Sequence, residues 1–258
     1  MPKGQFRIPG VGEETMTYCV ALRLNDGLVM LSDTRTTAGV DNVSTFSKMH
    51  LFDVPEQRVI AIMTAGNLAV TQAVVNLLKE GVEFEGSVAT LQTTPSMFKA
   101  AQLVGAAIRQ VYTTDGPQLR AQGVDFDASM LLAGQIEGRE MRLFQMYSAG
   151  NFIEATEDTP FLQIGEHKYG KPILDRAVTY DMDLFDAVKL ALISMDSTLR
   201  SNLTVGLPLE LLVYRKDSYK IALRRRITEN DPYFRMIGES WSVALRDAYR
   251  AIPRPDWV

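Results

Sequence analysis

With 258 residues, 46% of them hydrophobic and 22% charged, the chain has apolar material for one sizeable core and the charge density of an ordinary soluble globular protein. A net charge of -4 gives no basic footprint for nucleic acid, and no stretch reaches the roughly 18 continuous apolar residues of a membrane helix. Residues 1–16, MPKGQFRIPGVGEETM, lack the apolar block of about 7–15 residues that a secretory signal needs; the single cysteine, Cys19, forbids an internal disulfide, so a reducing cytoplasm is expected.

From Thr17 onward, TYCVALRL and GLVMLSD flank an Asn25-Asp26-Gly27 turn, a strong hairpin signal. A polar link, TRTTAGVDNVST, leads to KMHLFD and RVIAIMTAG, which read as a second antiparallel pair across Pro55-Glu56-Gln57. Apolar spacing from Asn67 to Lys79, stopped by Gly81, predicts a first helix. Pro95 and a Ser96 N-cap predict a second, closing near Tyr112 ahead of a TTDGP turn. Strands follow at DASMLLAGQI, EMRLFQMYS, NFIEA and FLQIG, then helices around Lys168 to Arg176 and Asp183 to Leu199. LELLVYR and YKIALRR return to strand about a Lys216-Asp217-Ser218 turn, and a last helix runs from near Asp231 to Tyr249. Blocks of strands alternating with blocks of helices argue for antiparallel sheets with helices on their outer faces, not for a parallel βαβ sheet. The expected fold class is α+β, a four-layer αββα sandwich. Residues 17–258 are expected to form one domain, with 1–16 as a propeptide or a stretch upstream of a start at Met16.

Thr17 carries the chemistry. A hydroxyl is a weak nucleophile near neutral pH and needs a base within reach. A threonine at the head of a chain brings its own, because an α-amine with a reference pKa of about 7.7–8 is partly unprotonated at pH 7. Met16 directly precedes Thr17, so removal of an initiator methionine there is one route to exposure. A threonine opening a strand is ordinary when taken alone.

Its neighbours change the argument. The run TYCVALRLNDGLVMLSDTRTTAG resembles the opening of proteasome β subunits and of the bacterial HslV peptidase: an N-terminal Thr, a hairpin, then Ser/Gly-Asp-x-Arg/Gln-x-Thr-x-Gly. The resemblance implies an N-terminal nucleophile hydrolase in which Asp33 helps to hold Lys48, in FSKMHLF, beside the Thr17 hydroxyl. An ammonium at that place stabilises a developing alkoxide. The same resemblance puts the oxyanion N–H at Gly66 and an edge that pairs with extended substrate along Arg35, Thr36, Thr37 and Gly39. It also sets Thr64 and Ala65 against the side-chain pocket, which implies a preference for small or apolar side chains.

Two segments depart from the proteasome pattern. Glu166, in QIGEHKYGKPILDR, stands where the family has a serine beside the nucleophile's amine. RSNLTVG replaces a late Asp-x-x-Ser-Gly, leaving Ser201, Asn202 and Thr204 as candidate support. These departures, the Thr-Tyr-Cys-Val opening and Gly-Glu ahead of Lys-Tyr-Gly-Lys-Pro resemble the bacterial ancestral β-subunit branch, Anbu, over most of 17–258. The resemblance implies a threonine hydrolase of peptide or other amide bonds that uses no cofactor or metal and works in a homo-oligomeric ring or stack. The alternatives are a non-catalytic assembly subunit of the same fold and an amidase for non-peptide or γ-linked amides.

Other motifs are weaker. Gly165 to Lys171 has P-loop spacing, but Pro172 stands where a Ser or Thr would hold Mg²⁺, and it lacks an N–H. His50 and His167 are the only histidines and neither has zinc-site spacing. Cys19, two residues from Thr17 on a strand, reads as a buried small hydrophobe.

Overall fold

The computed structural model describes residues 17–38 and 42–257. Of those named above, residues 1–16, Gly39 and the side chain of Thr37 lie outside what is described. The opening hairpin is β1 (Tyr18–Leu24) and β2 (Gly27–Asp33), followed by β3 (Arg35–Ala38), β4 (Asn42–Thr45), β5 (Met49–Leu51) and β6 (Arg58–Gly66). Helix α1 (Leu68–Glu80), the short pair β7 (Val82–Phe84) and β8 (Ser87–Ala89), and α2 (Met97–Ala121) come next. The second half runs β9 (Ala128–Ile136), β10 (Arg142–Met146), β11 (Phe152–Glu154), β12 (Phe161–Gly165), α3 (Lys171–Ala177) and α4 (Leu184–Ser201). It ends with β13 (Leu209–Arg215), β14 (Ile221–Ile227) and α5 (Pro232–Ala251).

Two five-stranded antiparallel sheets result, in the orders β12-β1-β2-β13-β14 and β11-β10-β9-β6-β5. Strand alternation explains why β1 is apolar almost throughout. Val20 and Leu22 face Leu192 and Met195 of α4, while Cys19 and Ala21 face Met63 and Leu131 of the other sheet. On the far side Ile60, Ile62 and Leu132 pack against Val74 of α1 and Val104 of α2. Helices, sheet, sheet and helices are therefore the four layers, each pair sealed by its own apolar cluster.

The helices begin where their caps dictate. The Asn67 side chain accepts from Ala69 N (3.0 Å) and Val70 N (3.3 Å), and Ser96, Asp183 and Asp231 cap α2, α4 and α5 in the same manner. Three expectations need correction. Helix α2 does not stop near Tyr112; it runs through the expected TTDGP turn to Ala121 with Pro117 inside it. Packing from outside the helix supports that stretch: Tyr112, which accepts from Arg120, stacks edge-on against Phe126, while the Thr113 and Thr114 hydroxyls satisfy themselves by bonding back to Arg109 O (2.9 Å) and Gln110 O (3.1 Å). The polar link after β2 is itself a hairpin, β3 with β4, in keeping with its β-branched residues. Short β7 and β8 carried too few apolar residues to be read from periodicity, and α3 begins at Lys171, not Lys168.

Candidate active site

Thr17 sits one residue ahead of β1, at the end of the sandwich where β2 also ends. The β1/β12 ladder fixes its backbone, with Glu166 N donating to Thr17 O at 2.6 Å. The approach is so close that a Cβ on Gly165, at φ +81°, would lie 2.0 Å from Thr17 O, so only glycine fits there.

Asp33, the last residue of β2, is fully buried opposite this point. Its Oδ1 accepts from the Thr17 hydroxyl, from Tyr18 N (3.2 Å) and from Lys48 Nζ (2.6 Å). Its Oδ2 accepts from Arg35 N and Gly206 N, both at 3.2 Å. Lys48 precedes β5, and its carbonyl continues the β5/β6 ladder by accepting Thr64 N at 3.0 Å. The ammonium spends its three donors on Thr17 Oγ1, Asp33 Oδ1 and Arg35 O (2.7 Å). The Thr17 hydroxyl thus lies between a buried cation and a buried carboxylate, donating to one and accepting from the other.

Around this triad lies a second polar ring. Glu166 is buried, its Oε1 accepting Lys168 N (2.7 Å) and its Oε2 accepting Asn202 Nδ2 (2.9 Å). Asn202 Oδ1 accepts both Thr204 N (2.9 Å) and Thr204 Oγ1 (2.7 Å). The Arg35 guanidinium ties down the same loop by donating to Leu203 O at 2.8 Å. Ser201 is not brought in: it is exposed on the last turn of α4. Gly66 ends β6 at φ +104°, where a Cβ would meet Asp127 O at 2.6 Å. The two expected pocket residues part company. Alternation along β6 puts Ala65 between the sheets with Met63, and Thr64 on the helix-facing side with Ile62. Thr36, on β3, is half-buried.

Neither Cys19 nor His50 competes with Thr17. Burial above all, with Asp33 adding and Lys48 opposing, pushes the Cys19 thiol up to about 12, so it stays a protonated, unreactive thiol at neutral pH. Burial, then Lys79, lowers His50 to about 4 and keeps it neutral. Among the described residues no group of three or more His, Cys, Asp or Glu could hold a metal ion, and no helix is long and apolar enough to cross a membrane. The sequence did not announce the main-chain donors Tyr18 N and Gly206 N or the Arg35 carbonyl, because backbone groups leave no side-chain signature.

The family described as "Proteasome subunit" matches residues 14–212. Three solved structures are closely similar. An Anbu (Gly-1) mutant from Hyphomicrobium sp. strain MC1 is 50% identical over 93% of this chain and 99% of its own, with a TM-score of 0.86. Anbu (ancestral beta-subunit) from Yersinia bercovieri is 48% identical over 93% and 99%, also at 0.86. The helical assembly of the Anbu complex from Pseudomonas aeruginosa is 48% identical over 93% and 98%, again at 0.86. No curated protein sequence matches the chain. Fold, family match and near-complete overlap agree, and the chain belongs to the proteasome subunit family, within its Anbu, or ancestral β-subunit, branch.

Proposed function

We propose that the chain is an N-terminal threonine hydrolase of amide bonds, made active when removal of residues 1–16 frees the α-amine of Thr17. The observation that carries this reading is the Thr17 hydroxyl held between Lys48 Nζ and Asp33 Oδ1. In the proposed reaction Thr17 Oγ1 attacks the amide carbonyl while its proton passes to the free α-amine, directly or through one water. The Lys48 ammonium stabilises the developing alkoxide, and Asp33 keeps that ammonium in place. Gly66 is assigned the oxyanion N–H on resemblance. As the tetrahedral intermediate collapses, the C–N bond breaks and the leaving amine takes the proton from the α-ammonium. Water then attacks the Thr17 ester, gives a proton to the α-amine and releases a carboxylic acid, returning the hydroxyl.

Substrate is assigned to peptides or other amides in extended form, paired along β3 at Arg35 and Thr37 and, on resemblance, at Gly39, with Thr64 and Ala65 assigned on resemblance to the side-chain pocket. Self-assembly is part of the proposal, supported by the helical assembly of the Pseudomonas aeruginosa relative. The same observation favours, as a second reading, a non-catalytic assembly subunit.

An α',β'-epoxyketone separates the two, because its ring adduct needs both the hydroxyl and the free amine. Protein whose N-terminus is confirmed as Thr17 by mass is expected to gain one adduct, and Thr17→Ala none. A Thr17-started protein that stays unlabelled overturns the hydrolase reading, and a natively produced protein with a stable Met1 or Pro2 terminus overturns it for that form.

A further inference from the structure

Glu166 takes no part in the steps above, yet it is only 3% exposed and its main chain is hydrogen-bonded to the nucleophile's carbonyl. Its carboxylate is held by two neutral donors, Lys168 N and the Asn202 amide, and among the described residues it forms no ion pair. Asn202 is braced so that its NH₂ must face Glu166, since its oxygen is already committed to Thr204 N and Thr204 Oγ1. Two of the carboxylate's roughly four acceptor positions are thereby used. A buried carboxylate with neutral donors alone is costly, and a cation relieves that cost. Cleavage before Thr17 creates such a cation, the α-ammonium, on the residue that Glu166 is bonded to.

We infer that Glu166, steadied by Asn202 and Thr204, is the positioning residue for the freed α-amine of Thr17. This rests on Thr17 becoming the first residue. The charged groups bonded to Thr17 come from separate elements: anionic Asp33 at the end of β2 and cationic Lys48 before β5 meet its hydroxyl, and Glu166, after β12, reaches its carbonyl through the main-chain N–H. The Arg35 cation of β3 is turned away to Leu203 O, and the loop after α4 offers only neutral Asn202 and Thr204. Glu166 balances Lys48, favours the ammonium form between turnovers and fixes where the amine lone pair points when it accepts the proton.

Two measurements test this, neither requiring turnover. In the first, trace acetylation by acetic anhydride across pH, read on the N-terminal peptide by mass spectrometry, titrates the α-amine of Thr17-started protein. Glu166→Gln is expected to lower the midpoint by about one pH unit or more, and Glu166→Asp, which keeps the charge at shorter reach, by less. Equal midpoints for all three proteins overturn the inference. In the second, thermal unfolding compares Glu166→Gln in Thr17-started protein with the same change in the full chain carrying Thr17→Ala. The Tm falls in the first background, which loses an ion pair, and holds or rises in the second, which loses an unpaired charge. Equal falls in both mark a purely structural role and overturn the inference. Should Glu166→Gln not fold, Glu166→Asp carries both readouts: an unmoved midpoint or equal falls in Tm still overturn it. A protein that takes up no epoxyketone yet shows both shifts sinks the hydrolase reading and leaves this one standing; a reactive protein with an unmoved midpoint does the reverse.

Discussion

Both ends of the core between the sheets are closed by buried polar clusters, one around Thr17 and one around Gln135. At the Gln135 end, Nε2 donates to Arg139 O (2.8 Å) and Asp217 Oδ1 (2.7 Å), while Oε1 accepts from Tyr214 OH (2.7 Å) and Asp217 N (2.8 Å). Every position of that amide is used, and it holds no nucleophile. At the Thr17 end the groups are as deeply buried, but two of them are charged and a hydroxyl lies between them. The same two sheets thus frame a saturated amide joint at one end, whose single carboxylate, Asp217, is exposed, and a polarised site at the other. Burial and hydrogen-bond satisfaction are common to both; the placement of opposite charges about a hydroxyl is what separates them.

Four changes would break or sharpen that contrast. The largest effect is expected from Lys48→Met, which leaves the Asp33 carboxylate buried without its cation. Urea unfolding should show a loss of about 3–5 kcal/mol, and epoxyketone labelling of Thr17 should slow at least about 100-fold. Gln135→Leu strands the Tyr214 hydroxyl and Asp217, and is expected to cost about 2–3 kcal/mol while labelling stays within about twofold. A loss of labelling there would show that the two ends are coupled. Third comes pH. His50, on β5 two residues beyond Lys48, is held near 4, against about 6.5 unfolded, so the unfolded state binds the extra proton between those values. Its contribution is intact above pH 6.5 and is lost as pH falls toward 4, by about 1–2 kcal/mol between pH 7 and 5. His50→Gln should flatten that part of the stability curve. The smallest effect, about 1 kcal/mol, is expected for Tyr214→Phe, which removes one of four bonds to the Gln135 amide and leaves the Thr17 end untouched.

Much of the scaffold was legible because its signals are local. The Asn25-Asp26 turn, the Asn67 and Ser96 caps and the strand patterns all name their own elements. The run through Pro117 was not, since its support comes from Tyr112 packing on Phe126, outside the helix. In the site, Thr17, Asp33 and Lys48 could be paired in advance by resemblance, and the structure brings their side chains into contact. Asn202 and Ser201 could not be told apart on paper. One turns in to Glu166 and the other out to solvent, a difference set by where α4 unwinds. Resemblance sets Thr64 and Ala65 together at the side-chain pocket, and strand alternation sends the two to opposite faces of β6, a distinction that adjacency in the sequence does not display.

Asp33 also bears on when the site can form. Of the donors that converge on its two oxygens, most arrive from within the first 48 residues, but Gly206 N comes from 173 residues further along the chain. On a ribosome the threonine, the carboxylate and the lysine emerge together and early. The loop that closes over them emerges only after four-fifths of the protein has been made. A nascent chain therefore carries the parts of the Thr17 site without their finished geometry, and the site is completed only once the rest of the fold is in place to confine it.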